Sequence, residues 1–206
     1  MTQSHSYRRI SWLLIVALTL LISACGSAGS SSSSPSGAGS SGTKSNGPAV
    51  NRPQLGATLA DFQKAFGPPA TPSDNVIVVY NGKINGAQVR LTVTVYVDGN
   101  QVLRADDIRV DPPEGTITPP AGDAICESLA PADKSQTKED QTGAPASILH
   151  TGMSATLGTV FGSTFYQTFQ ANGGAAGSYY DSVTNLPNGN GDLFFETCEL
   201  SAGVPN

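Results

Sequence analysis

Alternation of apolar and polar residues is clearest in the middle of the chain. Val89, Leu91, Val93, Val95 and Val97 interleave with Arg90, Thr92, Thr94 and Tyr96. A period of two over nine residues predicts a strand with one buried face. Asp98-Gly99 supplies a turn into a partner strand over 101–110. There the alternation slips at Ala105-Asp106-Asp107, which predicts a bulge. Upstream, Val76 to Tyr80 is a β-branched run closed by Asn81-Gly82, a turn signal. Before it, Leu59, Phe62 and Phe66 recur at helical spacing. Thr58 stands ready to cap that helix, Asp61 lies in its first turn, and Gly67-Pro68-Pro69 ends it.

The second half reads less evenly. Thr118-Pro119 opens a helix predicted over 119–130, with Gly122, Ile125, Cys126 and Leu129 on its apolar side and Pro131 as its stop. Residues 131–147 are polar and read as a loop. Leu157, Phe161, Phe165 and Phe169 recur every fourth residue, which suits a helical face and one side of a strand alike. Gly158, Gly162 and four threonines argue against a long helix, and the segment is assigned a helix at its start. Residues 178–184, a turn at Asn188-Gly189-Asn190-Gly191, and residues 193–200 form a terminal hairpin. The expectation is one α+β domain over 53–206: an antiparallel meander, short packed helices and a C-terminal hairpin.

The beginning of the chain follows a different logic. Arg8 and Arg9 precede an apolar run from Trp12 to Ile22 that only Thr19 interrupts, and no acidic residue occurs before Asp61. Eleven residues make a helix of roughly 16 Å, about half a bilayer core, which is too short for a permanent span. A positive start, an apolar centre of this length and small residues after it predict a secretory signal over 1–24. The paired arginines also hint at twin-arginine export, although Ser11-Trp12 fits that pattern poorly.

Ile22-Ser23-Ala24-Cys25 resembles the lipobox of bacterial lipoproteins. The resemblance implies that Cys25 becomes the mature N-terminus and carries a diacylglyceryl group, anchoring the protein on the extracytoplasmic side of a cell membrane. Two acyl chains suffice for stable anchoring where one does not. Ordinary cleavage after Ala28 is the competing reading. From Gly26 to Pro48, ten serines and six glycines fill twenty-three positions with no large apolar residue. Such a segment cannot bury enough surface to order itself, so 25–52 is read as a disordered linker with a typical span of roughly 30 Å.

Charge and cysteine parity then narrow the partners. Loss of Arg8 and Arg9 with the signal moves the formal charge from −5 to −7. With no basic stripe, the charge argues against nucleic acid as a partner and, for the same reason, against attraction to anionic lipid. Of the three cysteines, acylation of Cys25 leaves Cys126 and Cys198 to pair in an oxidising compartment, with two separate buried thiols as the alternative.

Candidate chemistry is sparse. His150 is the one histidine after the signal, and no Gly-x-Ser-x-Gly elbow accompanies it. Asp106 and Asp107 are adjacent, and Glu196 and Glu199 are three apart, so neither pair shares a face of a regular strand. An acid pair across strands stays open. Asn188, Asn190, Asp192 and Glu199 fall on calcium-loop positions, but Leu193 stands where that loop needs glycine. Tyr166, Tyr179, Tyr180, Phe194 and Phe195 read as core rather than as a ligand groove. The sequence assigns no catalytic residue, metal or cofactor. It predicts a lipid-anchored binding or structural domain for a protein or small-molecule ligand. The alternative is a small hydrolase using His150 or an unrecognised carboxylate pair. The stretch from Gly56-Ala57-Thr58 to Phe66-Gly67-Pro68 also resembles the opening helix of small helix-plus-sheet lipoprotein domains of the outer-membrane-assembly and β-lactamase-inhibitor types. Those families act by binding proteins.

Overall fold

The computed structural model describes residues 52–70, 76–113, 115–142, 147–169 and 174–204; the predicted signal, Cys25 and the serine-rich stretch lie outside them. The chain folds in the order α1 (Leu59–Phe66), β1 (Ile77–Ile84), β2 (Ala87–Val97), β3 (Leu103–Asp111), α2 (Pro119–Leu129), β4 (Ser135–Thr142), β5 (Ser147–Met153), α3 (Ala155–Phe169), β6 (Ser178–Pro187) and β7 (Leu193–Ala202). The seven strands make one antiparallel sheet ordered β1-β2-β3-β7-β6-β5-β4. This is an α+β architecture dominated by its sheet.

Local signals explain most elements of the first half. Thr58 caps α1 by accepting from the Asp61 amide, while the Asp61 carboxylate accepts from the Thr58 amide at 3.0 Å. This reciprocal box satisfies two amides that a helix start leaves without partners. The slip in alternation is a real bulge: Thr94 faces Asp107 and Val95 faces Ala105, so Asp106 has no residue opposite it. One turn assignment needs correction. Asn81-Gly82 lies inside β1, and the β1–β2 turn is Asn85-Gly86, with φ of 51° and 84°. Both turn residues need positive φ in a two-residue hairpin, and asparagine and glycine tolerate it best. Gly82 is instead a packing glycine, lying under the ring of Phe66.

The second half departs further from expectation. Residues predicted as one loop contain the edge strand β4 and the start of β5; 143–146 lie outside the described residues. The β4 sequence, SQTKEDQT, shows no alternation because an edge strand needs backbone pairing more than a buried face, and charge there discourages further pairing. The ambiguous segment forms two helical pieces over Ala155–Phe169, joined by a kink at Gly162, where φ is 70°. Leu157 packs on Gly56, and Phe161 and Phe165 meet the edge of Tyr96.

The terminal hairpin is not peripheral. Its last strand, β7, is the middle strand of the sheet, between β3 and β6. Opposed residues run across the sheet as Tyr80, Leu91, Val110, Cys198, Val183 and Ile148. Helix α1 covers one end of this face through Phe62 and Phe66 on Tyr80. Helix α2 covers β7 and β6, with Gly122 against the Phe195 ring. Cys126 of α2 and Cys198 of β7 stand at disulfide distance, their Cα atoms 6.3 Å apart.

Candidate functional site

A second row of opposed residues lies two positions along each strand, on the same helix-covered face. It reads Val78, Val93, Ile108, Leu200, Asp181, His150 and Glu139. The row is apolar as far as β7 and ionisable beyond it. On β6, Tyr179, Asp181 and Val183 all point inward, which puts a carboxylate where the alternation calls for an apolar residue. Asp181 is 8% exposed.

His150 partners this buried acid. Its Nδ1 lies 2.6 Å from Asp181 Oδ1, and its Nε2 lies 3.8 Å from Glu139 on the edge strand. Asp123 and Glu127, four apart on α2 and so on one face of the helix, approach from above. Together with Cys126 and Val183 they line a cavity of about 230 Å³ around His150 and Asp181. Lys134 pairs with Glu127 at the rim. Burial raises the pKa of Asp181 against the opposing hydrogen bond from His150. Burial also raises Asp123, with His150 lowering it and Asp181 raising it.

The cavity therefore gathers His150 with three carboxylates from two other elements. Asp123, Glu127 and Asp181 were not singled out by sequence. The available signal was an acid on the inward side of β6. The cavity lining contains no hydroxyl, and its one cysteine faces Cys198, so a nucleophile–histidine–acid triad has no nucleophile here. Among the described residues, no group of three or more histidine, cysteine, aspartate or glutamate side chains is arranged to hold a metal ion.

The opposite face carries the carboxylate pair that sequence left open. Asp107 opposes Ser201 and Arg109 opposes Glu199, which makes Asp107 and Glu199 diagonal neighbours on one face. Tyr180 donates to Glu199 at 3.0 Å. Burial, with repulsion from Glu199 and then Asp106, pushes Asp107 up to about 7. A carboxyl group whose folded pKa is raised binds its proton more tightly in the folded state. Stability therefore falls as pH rises from about 4 to about 7, and is level above that. Asp107→Asn should remove this slope and raise stability at pH 8 by about 2 kcal/mol. That is half of what three pKa units convert to, because partial solvent contact screens the site. Urea midpoints at pH 4.5 and pH 8 read it; a variant no more stable than the parent at pH 8 contradicts the coupling.

The other candidates separate. Asn188 accepts from the amides of Asn190 and Asp192 at 2.9 Å each and so organises the β6–β7 turn. Glu199 lies far along β7, bonded to Tyr180, so the four calcium-loop positions do not converge. Tyr166, Tyr179 and Phe195 are core residues, whereas Tyr180 and Phe194 are partly exposed. No helix among the described residues is long and apolar enough to cross a membrane. Comparison with protein families, curated proteins and solved structures finds no match to this chain.

Proposed function

We propose that this protein is an exported lipoprotein, held at the extracytoplasmic side of a cell membrane by a diacylglyceryl group on Cys25. A flexible linker from Cys25 up to the described fold, which begins at Arg52, carries a non-catalytic binding domain. The single observation behind the anchor is the Ile22-Ser23-Ala24-Cys25 motif, placed directly after a short apolar run with a basic start. Support for binding over catalysis comes from the cavity beneath α2, which offers acceptors for a small ligand but no hydroxyl or free thiol for His150 to activate. Cys25→Ser should abolish fatty-acid labelling and shift the protein out of the membrane fraction or leave it unprocessed. Normal labelling and fractionation of that variant would reject the anchor.

A second reading, hydrolysis, draws on the His150–Asp181 pair at 2.6 Å. An imidazole oriented by a buried carboxylate can act as general base toward water without a protein nucleophile. A survey of ester, phosphoester and glycoside substrates with the full chain separates the two readings. Turnover that disappears in both His150→Gln and Asp181→Asn supports hydrolysis. Turnover that is absent, or unchanged in both variants, leaves binding as the function.

A further inference from the structure

A second concavity, distinct from the His150 cavity, opens where the two helices on the covered face end. It lies between the last turn of α1, the β1–β2 hairpin and the last turn of α2, and encloses about 320 Å³. That volume sits at the lower end of the range for small-molecule sites, roughly 300–1,000 Å³. Its wall is apolar, formed by Pro53, Phe66, Ile84 and Leu129, with Ile84 and Leu129 buried. Arg52 and Lys83, both exposed, add two cations.

The charges on this groove run against those of the whole chain, which has sixteen acidic and eleven basic residues. Among the described residues no carboxylate pairs with Arg52 or Lys83. The bonds of Arg52 among the described residues go to neutral groups, Gln54 Oε1 at 2.6 Å and the Ala130 carbonyl at 3.0 Å. The carbonyl ends of α1 and α2 also approach the groove, but helix ends carry about half a charge each and Arg52 already occupies one of them. The local field is therefore positive, although the net charge disfavours a surface-wide attraction to anionic lipid. An apolar slot flanked by two exposed cations, with no carboxylate partner for either among the described residues, matches an amphiphile with an anionic head, which can accept charge-assisted hydrogen bonds from both.

Chain connectivity indicates the source. Arg52, a residue of the groove wall, is the first described residue of the chain and follows Cys25 by 27 positions, so the proposed anchor is joined covalently to the domain at the groove. We propose that this groove holds the anionic head and first methylenes of a single-chain lipid drawn from the membrane that carries the protein. The chemistry of the site does not depend on the anchor; only the source does.

The test uses the full chain in phosphatidylcholine nanodiscs doped with a photoactivatable dodecyl phosphate. Photoactivatable dodecanol serves as the neutral control. Crosslinks from the phosphate probe are expected on peptides containing Phe66, Ile84 or Leu129, in about tenfold excess over the alcohol. Arg52→Ala with Lys83→Ala should remove that excess. Ala65→Trp, at an exposed position on the groove wall, should block both probes while keeping the charges. Equal labelling by phosphate and alcohol, labelling that survives both variants, or crosslinks mapped elsewhere would overturn the proposal. Labelling by phosphate added free in water, but never from the nanodisc, would overturn the membrane source. The same probe applied in solution to the Cys25→Ser chain separates loss of the anchor from loss of the groove.

Discussion

Asp98→Ala is expected to lower the unfolding free energy by about 3–5 kcal/mol, the usual cost of stranding one partner of a buried ion pair. Asp98 and Arg104 are each 3% exposed, with Arg104 Nε 2.6 Å from Asp98 Oδ2. The other carboxylate oxygen accepts from the amides of Asn100 and Val102 at 2.8 and 3.0 Å, closing the β2–β3 turn. Arg104 also donates to the Gly56 carbonyl at 3.2 Å, which fastens the segment leading into α1. Burial raises the Asp98 pKa, but Arg104 and the two turn amides outweigh it and hold the carboxyl below its ordinary value. Alanine would leave the guanidinium buried without its countercharge and two amides without their acceptor. Asp98→Asn keeps an acceptor for the turn and removes only the charge, so it should cost less. Denaturant unfolding of both variants provides the measurement. A loss below about 1 kcal/mol for alanine would place the pair among solvent-screened bridges.

Cys198→Ser is the second large effect, expected to cost about 4 kcal/mol from loop closure over a separation of 72 residues. The buried hydroxyl left in the core adds to that cost. Because β7 is the middle strand, the loss should appear as a lower midpoint for the whole cooperative transition. Fraying of the last hairpin alone would indicate a peripheral strand instead. Mass spectrometry of the unreduced, alkylated protein checks the pairing directly. Alkylation of both Cys126 and Cys198 would remove the bridge and the parity argument built on Cys25.

Features set by neighbouring residues were legible in the sequence. In the Thr58–Asp61 box and the Asn188–Gly191 turn, side chains meet their own backbone. The Pro119 helix start, the Val89–Val97 strand and the bulge at Asp106 each show in a short run of residues, through proline or through the period of two and its slip. The lipobox resemblance also rests on neighbouring residues, those just before Cys25, and lies outside the described residues. Long-range pairing was not legible. No local pattern places β7 between β3 and β6, and that order is what puts the Cys126–Cys198 pair at the centre of the sheet. The polar β4 strand shows no period because its backbone pairing with β5 and its edge position, not a buried face, hold it. Asp181 meets His150 thirty-one residues away only because β5 and β6 align in that register, and the same dependence couples Asp107 to Glu199. A shift of one residue would send either acid to the opposite face. Sequence therefore determined the elements that short-range patterns mark, chiefly in the first half, while register across the sheet decided which ionisable side chains share a site.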